Sequence, residues 1–264
     1  MSTSIESSRF IESSRDRVVR VHDTLYTLHD TDTIESDFSP DYIDHSPLIA
    51  DGLHGVKTLV GQHPLLCHEI HRVLVDGDLV ALHGRYCGLG DRNLVGFDIY
   101  RVEHSKIVEH WAGLVPEAHA NASGRTQLDG PCDPGSDDDT EWNRDRIVEF
   151  FTRTLINNDY EGFRRYTDGH AFIQHSPDIA DGVDTVIAFL EQLETQGLKL
   201  EYSRLHRTVA DGQFVLTHSE GSIGDVRHAY FELWRMQEGN LVEMWDVIAP
   251  VPTDEEAVHQ NGIF

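Results

Sequence analysis

The sequence predicts an α+β protein built twice over, as two tandem domains that each pack helices against one face of an antiparallel sheet. Three observations predict it. A nine-residue phrase is written twice, as DHSPLIADG from Asp44 and QHSPDIADG from Gln174. Three further blocks recur around it in the same order, with the spacing between copies drifting from 129 to 135 residues. Within each copy, helical spacing comes first and strand alternation afterwards.

The elements follow in order. RDRVVRVHDTL from Arg15 answers to RDRIVEFFTRTL from Arg144, and the apolar spacing of Val18, Val19, Val21, Leu25 and Leu28 predicts helices over 16–29 and 145–158. A short helix and a strand then lead into the HSP phrase, where Pro47 and Pro177 end the strand. A second helix begins after each Asp-Gly, carrying Val56, Leu59 and Val60 or Val183, Val186, Ile187, Phe189 and Leu190. HRVLVDGDLVALH from His71 and HRTVADGQFVLTH from His206 then predict hairpins turning at Asp76-Gly77 and Asp211-Gly212, with positive φ at both central residues. Last come FDIYRVEHSKIVEHWAGLVP from Phe97 and FELWRMQEGNLVEMWDVIAP from Phe231, hairpins turning at EHSK and QEGN. The boundaries expected are a polar segment 1–14, domains 15–116 and 143–252, a linker 117–142 and a tail 253–264. The linker is rich in Gly, Pro, Asp and Ser and reads as solvated.

Composition excludes several classes of partner. The formal charge of −25 over 264 residues repels polyanions, so neither nucleic acid nor an anionic membrane is expected to bind. Lysine occurs only at Lys57, Lys106 and Lys199, and abundant Asp with few Lys is a bias of salt-adapted hosts, where screening suppresses self-repulsion. The polar start MSTSIESSRFIESSRDR offers no leader pattern and no apolar run has the length of a membrane span, so a cytoplasmic protein is expected. Cys67, Cys87 and Cys132 fit neither a disulfide framework nor a zinc spacing.

The ordered set HSPxIADG, HRVxxDGDxVxxH, FDIYRVxxxKIVEHW and a following proline resembles the SnoaL-like family of the nuclear transport factor 2-like superfamily, nearest to its branch of aldol-condensation and polyketide-cyclase enzymes, over nearly all of both copies. The resemblance implies a cone-shaped, cystatin-like α+β fold, with a curved sheet wrapped around helices to leave an apolar pocket. It also implies domains that pair through their sheets, here a pseudo-dimer within one chain that leaves room for further homo-oligomers. The activity implied is acid/base chemistry by an Asp, without metal or cofactor, on a small or medium carbonyl compound. The same fold also carries isomerases, hydrolases, dehydratases and non-catalytic binding proteins, so the fold alone fixes no reaction.

Strand alternation selects the candidate residues. In EHWAG, His110 and Ala112 share one face; in EMWDV, Met244 and Asp246 do. The family pattern at these positions is His-Trp-Asp, so each copy keeps a different half. Asp246, among Val242, Met244 and Ile248, is the candidate acid or base, since apolar surroundings raise a carboxyl pKa; the plainer alternative is an Asp capping a strand end. His218 and His206 are its candidate partners, because LVALH and FVLTH are read as pointing their histidines into the pocket. The candidate substrate contacts are His175, Glu232 and Met244 in the second copy, and His45, His71, His83, Asp98 and His110 in the first. A histidine satisfied by backbone carbonyls is the plainer reading of any one of these. Trp111 and Trp245 face the other way and read as interface residues, while Arg101 and Arg235 read as paired with carboxylates of their own copy. The second copy is the expected active site. Two alternatives stay open: a non-catalytic ligand-binding or scaffold protein, and a metal held by the histidines and Asp98 of the first copy.

Overall fold

The structure, a computed structural model, describes residues 12–167 and 172–264; residues 1–11 of the expected polar segment lie outside the described residues. The first unit comprises α1 (Ser14–His22), α2 (Ile34–Asp37), β1 (Phe38–Asp44), α3 (Gly52–Gln62), β2 (Cys67–Asp76), β3 (Leu79–Cys87), β4 (Leu94–Glu103) and β5 (Lys106–Pro116). The second repeats the order: α4 (Thr140–Phe150), α5 (Phe163–Tyr166), β6 (Ile173–Gln174), α6 (Val183–Thr195), β7 (Leu200–Asp211), β8 (Phe214–Ile223), β9 (Val226–Gln237) and β10 (Asn240–Pro250). Among the described residues the strands form two five-stranded sheets, ordered β1-β5-β4-β3-β2 and β6-β10-β9-β8-β7. The protein is α+β with a tandem arrangement.

Local departures from the expected elements have physical causes. Each opening helix is interrupted at the same place, by a turn of π-helix at Asp23–Thr27 and at Phe151–Leu155. The wider turn buries Leu25 and Tyr26 in one unit and Phe151, Thr154 and Leu155 in the other. Each sheet is mixed, since β1 and β6 run parallel to the last strand; the helix and three strands that intervene supply the long crossover a parallel pair needs. The Asp-Gly hairpins form, but Asp76 and Asp211 end their strands. Only the first central residue has positive φ, Gly77 at 60° and Gly212 at 53°. That is the II′ geometry, which requires glycine at that position. Both central residues are left-handed instead in the last hairpins, His104 and Ser105 (49° and 63°) and Glu238 and Gly239 (50° and 78°).

Displacing Asp76 and Asp211 from the turn frees their carboxylates. Asp76 Oδ2 accepts from the Ala210 N–H at 3.0 Å, and Asp211 Oδ2 from the Val75 N–H at 2.8 Å. The two sheets thus meet through reciprocal contacts. Arg72 lies 4.2 Å over the Trp245 ring and Arg207 lies 3.8 Å over Trp111. Between them Leu74, Phe97, Ile99 and Trp111 pack on Leu216, Phe231, Leu233 and Trp245, with all eight buried. Approach is close enough that a Cβ on Gly113 would come within 2.5 Å of the Phe231 ring.

Residues 117–142 are not a free spacer. Leu128, Gln127 and Asn121 are buried, and Arg72 donates to the carbonyls of Leu128, Asp129 and Pro131. The C-terminal segment does the same on the other side. Thr126 O accepts from His175 Nδ1 at 2.7 Å, while Gly262 O accepts from His45 Nδ1 at 3.0 Å. Each unit therefore sends an arm across to the HSP loop of its neighbour. Hydrogen bonds from a few scattered polar side chains hold these arms, which is why their composition reads as solvent-facing.

Candidate functional site

The second unit encloses a cavity of about 510 Å³ between α6 and its sheet. Val186, Phe189, Leu190, Leu193, Trp234 and Ile248 give it apolar walls, and of the three carboxyl residues that line it Asp178 belongs to the HSP loop, while Glu232 lies on β9 and Asp246 on β10. These two are directly opposite across the β9–β10 ladder, which places their side chains on the same face of the sheet. A bulge between Leu241 and Glu243 sets the phase of β10, so that Leu241, Met244, Asp246 and Ile248 face the cone, while Trp245 and Val247 join the core between the sheets. Four residues of the first unit and its arm, Val115, Pro116, Ala118 and Gln127, complete the lining.

The surroundings of the two carboxyls push both pKa values upward by different amounts. Burial raises Glu232 to about 8 against a lowering hydrogen bond from Tyr202, and the neighbouring Asp246 charge adds to the rise. Burial raises Asp246 to about 6; a hydrogen bond from Ser176 opposes the rise and the Asp178 charge adds to it. At neutral pH Glu232 therefore carries a proton and Asp246 is mostly ionised. Tyr202 donates to Glu232 Oε1 at 2.6 Å, and Glu232 Oε2 is buried without a hydrogen-bond partner among the described residues. The pair supplies a proton acceptor and a proton donor within one apolar chamber.

Among the described residues the cone of the first unit holds no comparable space. The space left in its cone is about 20 Å³, because aromatic and histidine side chains occupy it. Tyr42 donates to Asp44 (2.6 Å) and Tyr86 to Asp98 (2.9 Å). His110 lies between the two carboxylates, Nδ1 3.3 Å from Asp44 and Nε2 3.0 Å from Asp98. Burial alone would depress this imidazole, but the Asp44 and Asp98 carboxylates outweigh it and push it up to about 9. His22 bonds Tyr100 and His68, and burial holds its pKa well below the usual histidine range.

Several candidates from the sequence are not in either cone. His218 stacks on Phe231 and takes a hydrogen bond from Arg207; His83 stacks on Phe97 and takes one from Arg72 at 3.0 Å. Both belong to the layer between the sheets. His206 bonds Glu220 at 2.9 Å and stacks on Phe264. His45 stacks on Trp111 and bonds Glu109, and His175 stacks on Trp245 and bonds Glu243. His71 is the extra residue of a bulge in β2, half-buried. The reason is parity. In LVALH it is Val80 and Leu82 that enter the cone core, so His83 must face away, and both faces of the strand are buried. Only Asp98 and His110 of the first-copy set share the cone. The proposed metal grouping is not assembled, and among the described residues no three His, Cys, Asp or Glu side chains are placed to hold a metal ion.

Glu232, Met244 and Asp246 are brought together at the cavity of the second unit. Arg101 pairs with Glu109 at 3.2 Å and Arg235 with Glu243 at 2.6 Å, each within its own unit. The residues that sequence reasoning missed are Tyr202 and Ser176 in the second cone and Asp44, Tyr86 and Tyr100 in the first. Ser176 had a signal, since it lies within the repeated phrase itself.

Residues 18–110 match the family described as a SnoaL-like domain. Among curated proteins nothing matches the chain. Among solved structures, the chain is similar to a SnoaL-like polyketide cyclase from Agrobacterium tumefaciens at 16% identity, covering 40% of this chain and 93% of that one with a TM-score of 0.34. TsrD from Streptomyces laurentii is 16% identical, with 39% and 91% covered and a TM-score of 0.33. An NTF2-like protein of unknown function from Cytophaga hutchinsonii is 15% identical, with 41% and 95% covered and a TM-score of 0.37. The match to the SnoaL-like domain family thus falls on the first of the two similar α+β units.

Proposed function

We propose that the second unit, residues 143–252, is a cofactor-independent acid/base catalyst for aldol-type cyclisation or isomerisation of a small or medium apolar carbonyl compound. The observation that carries the reading is the Glu232–Asp246 pair, side by side in one apolar cavity with opposite protonation at neutral pH. Asp246 removes a proton from the carbon next to the carbonyl. Glu232 donates a hydrogen bond, and then its proton, to the carbonyl oxygen as charge develops there. Tyr202 holds Oε1 of Glu232 and so leaves the proton on Oε2, the oxygen without a partner among the described residues. The cavity volume lies within the range of small-molecule sites.

The first unit, residues 15–116, serves in this reading as a scaffold that lends wall and arm to its neighbour, and the chain works as an intramolecular pseudo-dimer. The filled first cone and the reciprocal contacts across the sheets support that division.

The test is Asp246→Asn against the natural protein over a panel of carbonyl substrates with acidic α-hydrogens. Turnover is expected to fall by about 10²–10⁴-fold, the usual contribution of a positioned base. The natural protein should give a bell-shaped kcat/KM profile with limbs near the Asp246 and Glu232 values of about 6 and about 8. Unchanged turnover in Asp246→Asn would overturn the assignment.

A further inference from the structure

Cys67 opens β2 and Cys87 ends β3, and the two are paired directly across that antiparallel ladder. Both are half-exposed free thiols, and the Cys67 side chain is near enough to Cys87 to push its thiol up. Residues opposite each other in such a ladder have Cα atoms about 4.5–5.5 Å apart, within the span a disulfide bridges. The pair is peculiar to the first unit, since the corresponding rung of the second sheet holds Glu201 opposite Ser222.

We propose that Cys67 and Cys87 are a reversible dithiol/disulfide site that takes small-molecule disulfides as its reaction partner. The Cys67 thiolate attacks one sulfur of the small disulfide, forming a mixed disulfide and releasing one thiol. The Cys87 thiolate then attacks the Cys67 sulfur, closing the cross-strand bond and releasing the second thiol. The protein loses two hydrogens and two electrons, and the small disulfide is reduced to two thiols. Cys67 attacks first because burial, together with the Cys67 contact, pushes the Cys87 thiol up to about 11 and leaves little thiolate there.

The position gives the bond something to act on. The next rung inward is His68 opposite Tyr86, whose rings stack at 4.0 Å, and His68 also bonds His22. These side chains are part of the plug that fills the first cone. Oxidation staples the two strands that carry the plug; reduction leaves the end of the ladder to its hydrogen bonds alone. Cys132, on the arm, is exposed and has no cysteine in contact with it among the described residues.

The experiment treats the folded full-length protein with oxidised glutathione under anaerobic conditions, blocks remaining thiols, and maps peptides by mass spectrometry. The expected result is a Cys67–Cys87 crosslink lacking two hydrogens, formed equally in Cys132→Ser and reversed by dithiothreitol, while Cys67→Ser gives no crosslink. Persistent glutathione on Cys67 or Cys87 in the natural protein would overturn the proposal, because it would show that the partner thiol cannot resolve the mixed disulfide. Modification of Cys132 alone would overturn it as well.

Discussion

Glu232 is the side chain that most strains the usual rules of burial. It is fully buried, its second oxygen has no partner among the described residues, and burial raises its pKa from 4.5 to about 8. The folded state therefore holds a proton that the unfolded chain releases above about pH 4.5. Stability at this residue is fully present below the unfolded value and is lost as pH rises through about 8. Glu232→Gln is expected to flatten that loss, so that thermal melts at pH 9 show the variant more stable than the natural protein, with near equality at pH 4. The same variant should remove the alkaline limb of the kcat/KM profile, since the donor no longer titrates. His110 contributes in the same direction, its raised value of about 9 being lost at alkaline pH; Glu232→Gln leaves that residual slope in place.

At the scale of the element, the HSP loop is where shared scaffold and proposed chemistry meet. In both units it carries a histidine that stacks on the last strand's tryptophan and bonds its glutamate, His45 on Trp111 with Glu109 and His175 on Trp245 with Glu243. Asp181 Oδ1 also closes the loop by accepting from the Gln174 N–H at 3.0 Å. In the second unit the Ser176 side chain of the loop lowers the Asp246 pKa against the rise that burial causes. Asn121, from the arm of the first unit, holds this loop through its side-chain amide, which donates to Gln174 O at 2.7 Å and Ile179 O at 2.8 Å. Replacing Asn121 by Ala leaves buried carbonyls unmatched, at a cost of about 1–3 kcal/mol. It should also loosen Ser176, whose hydrogen bond lowers the Asp246 value. The acid limb of the rate profile is then expected to move to higher pH, and Ser176→Ala should move it the same way. A limb that stays in place in both variants would show that the loop does not tune Asp246.

Strand parity explains how much of this was legible. The order of elements and the duplication followed from repeated motifs, and period-two alternation put His110 with Ala112 and Met244 with Asp246 on one strand face each. His83 and His218 were misplaced because alternation tells inside from outside only when one face is wet, and here the second face of each sheet is buried against the other sheet. The contents of the two cones were beyond the sequence alone. Tyr26, Tyr86 and Tyr100 close the first, whereas in the second the opening helix, with its π-turn, leaves Leu155 beside an open cavity. A difference of filling depends on packing in three dimensions, and a pattern of apolar residues does not record it.

Over the whole molecule, the charge of −25 is spread through many exposed carboxylates that ion pairs offset only in part. Surface pairs such as Arg164–Glu161 and Arg153–Glu149 contribute little each, so net self-repulsion remains. Raising the salt concentration from dilute buffer to about 1 M shortens the screening length to about 3 Å, and the thermal midpoint is expected to rise with it. A midpoint that is the same in dilute buffer and in molar salt would remove the link between this composition and a saline setting.

The crossed arms carry a consequence for how the chain is made. Residues 259–264 leave the ribosome after the entire second sheet, yet three of their contacts, His259 to the Ser46 carbonyl, Asn261 to the Asp44 carbonyl and Gly262 to His45, lie on the first unit. The half synthesised first thus gains its last contacts only after the other half has been built.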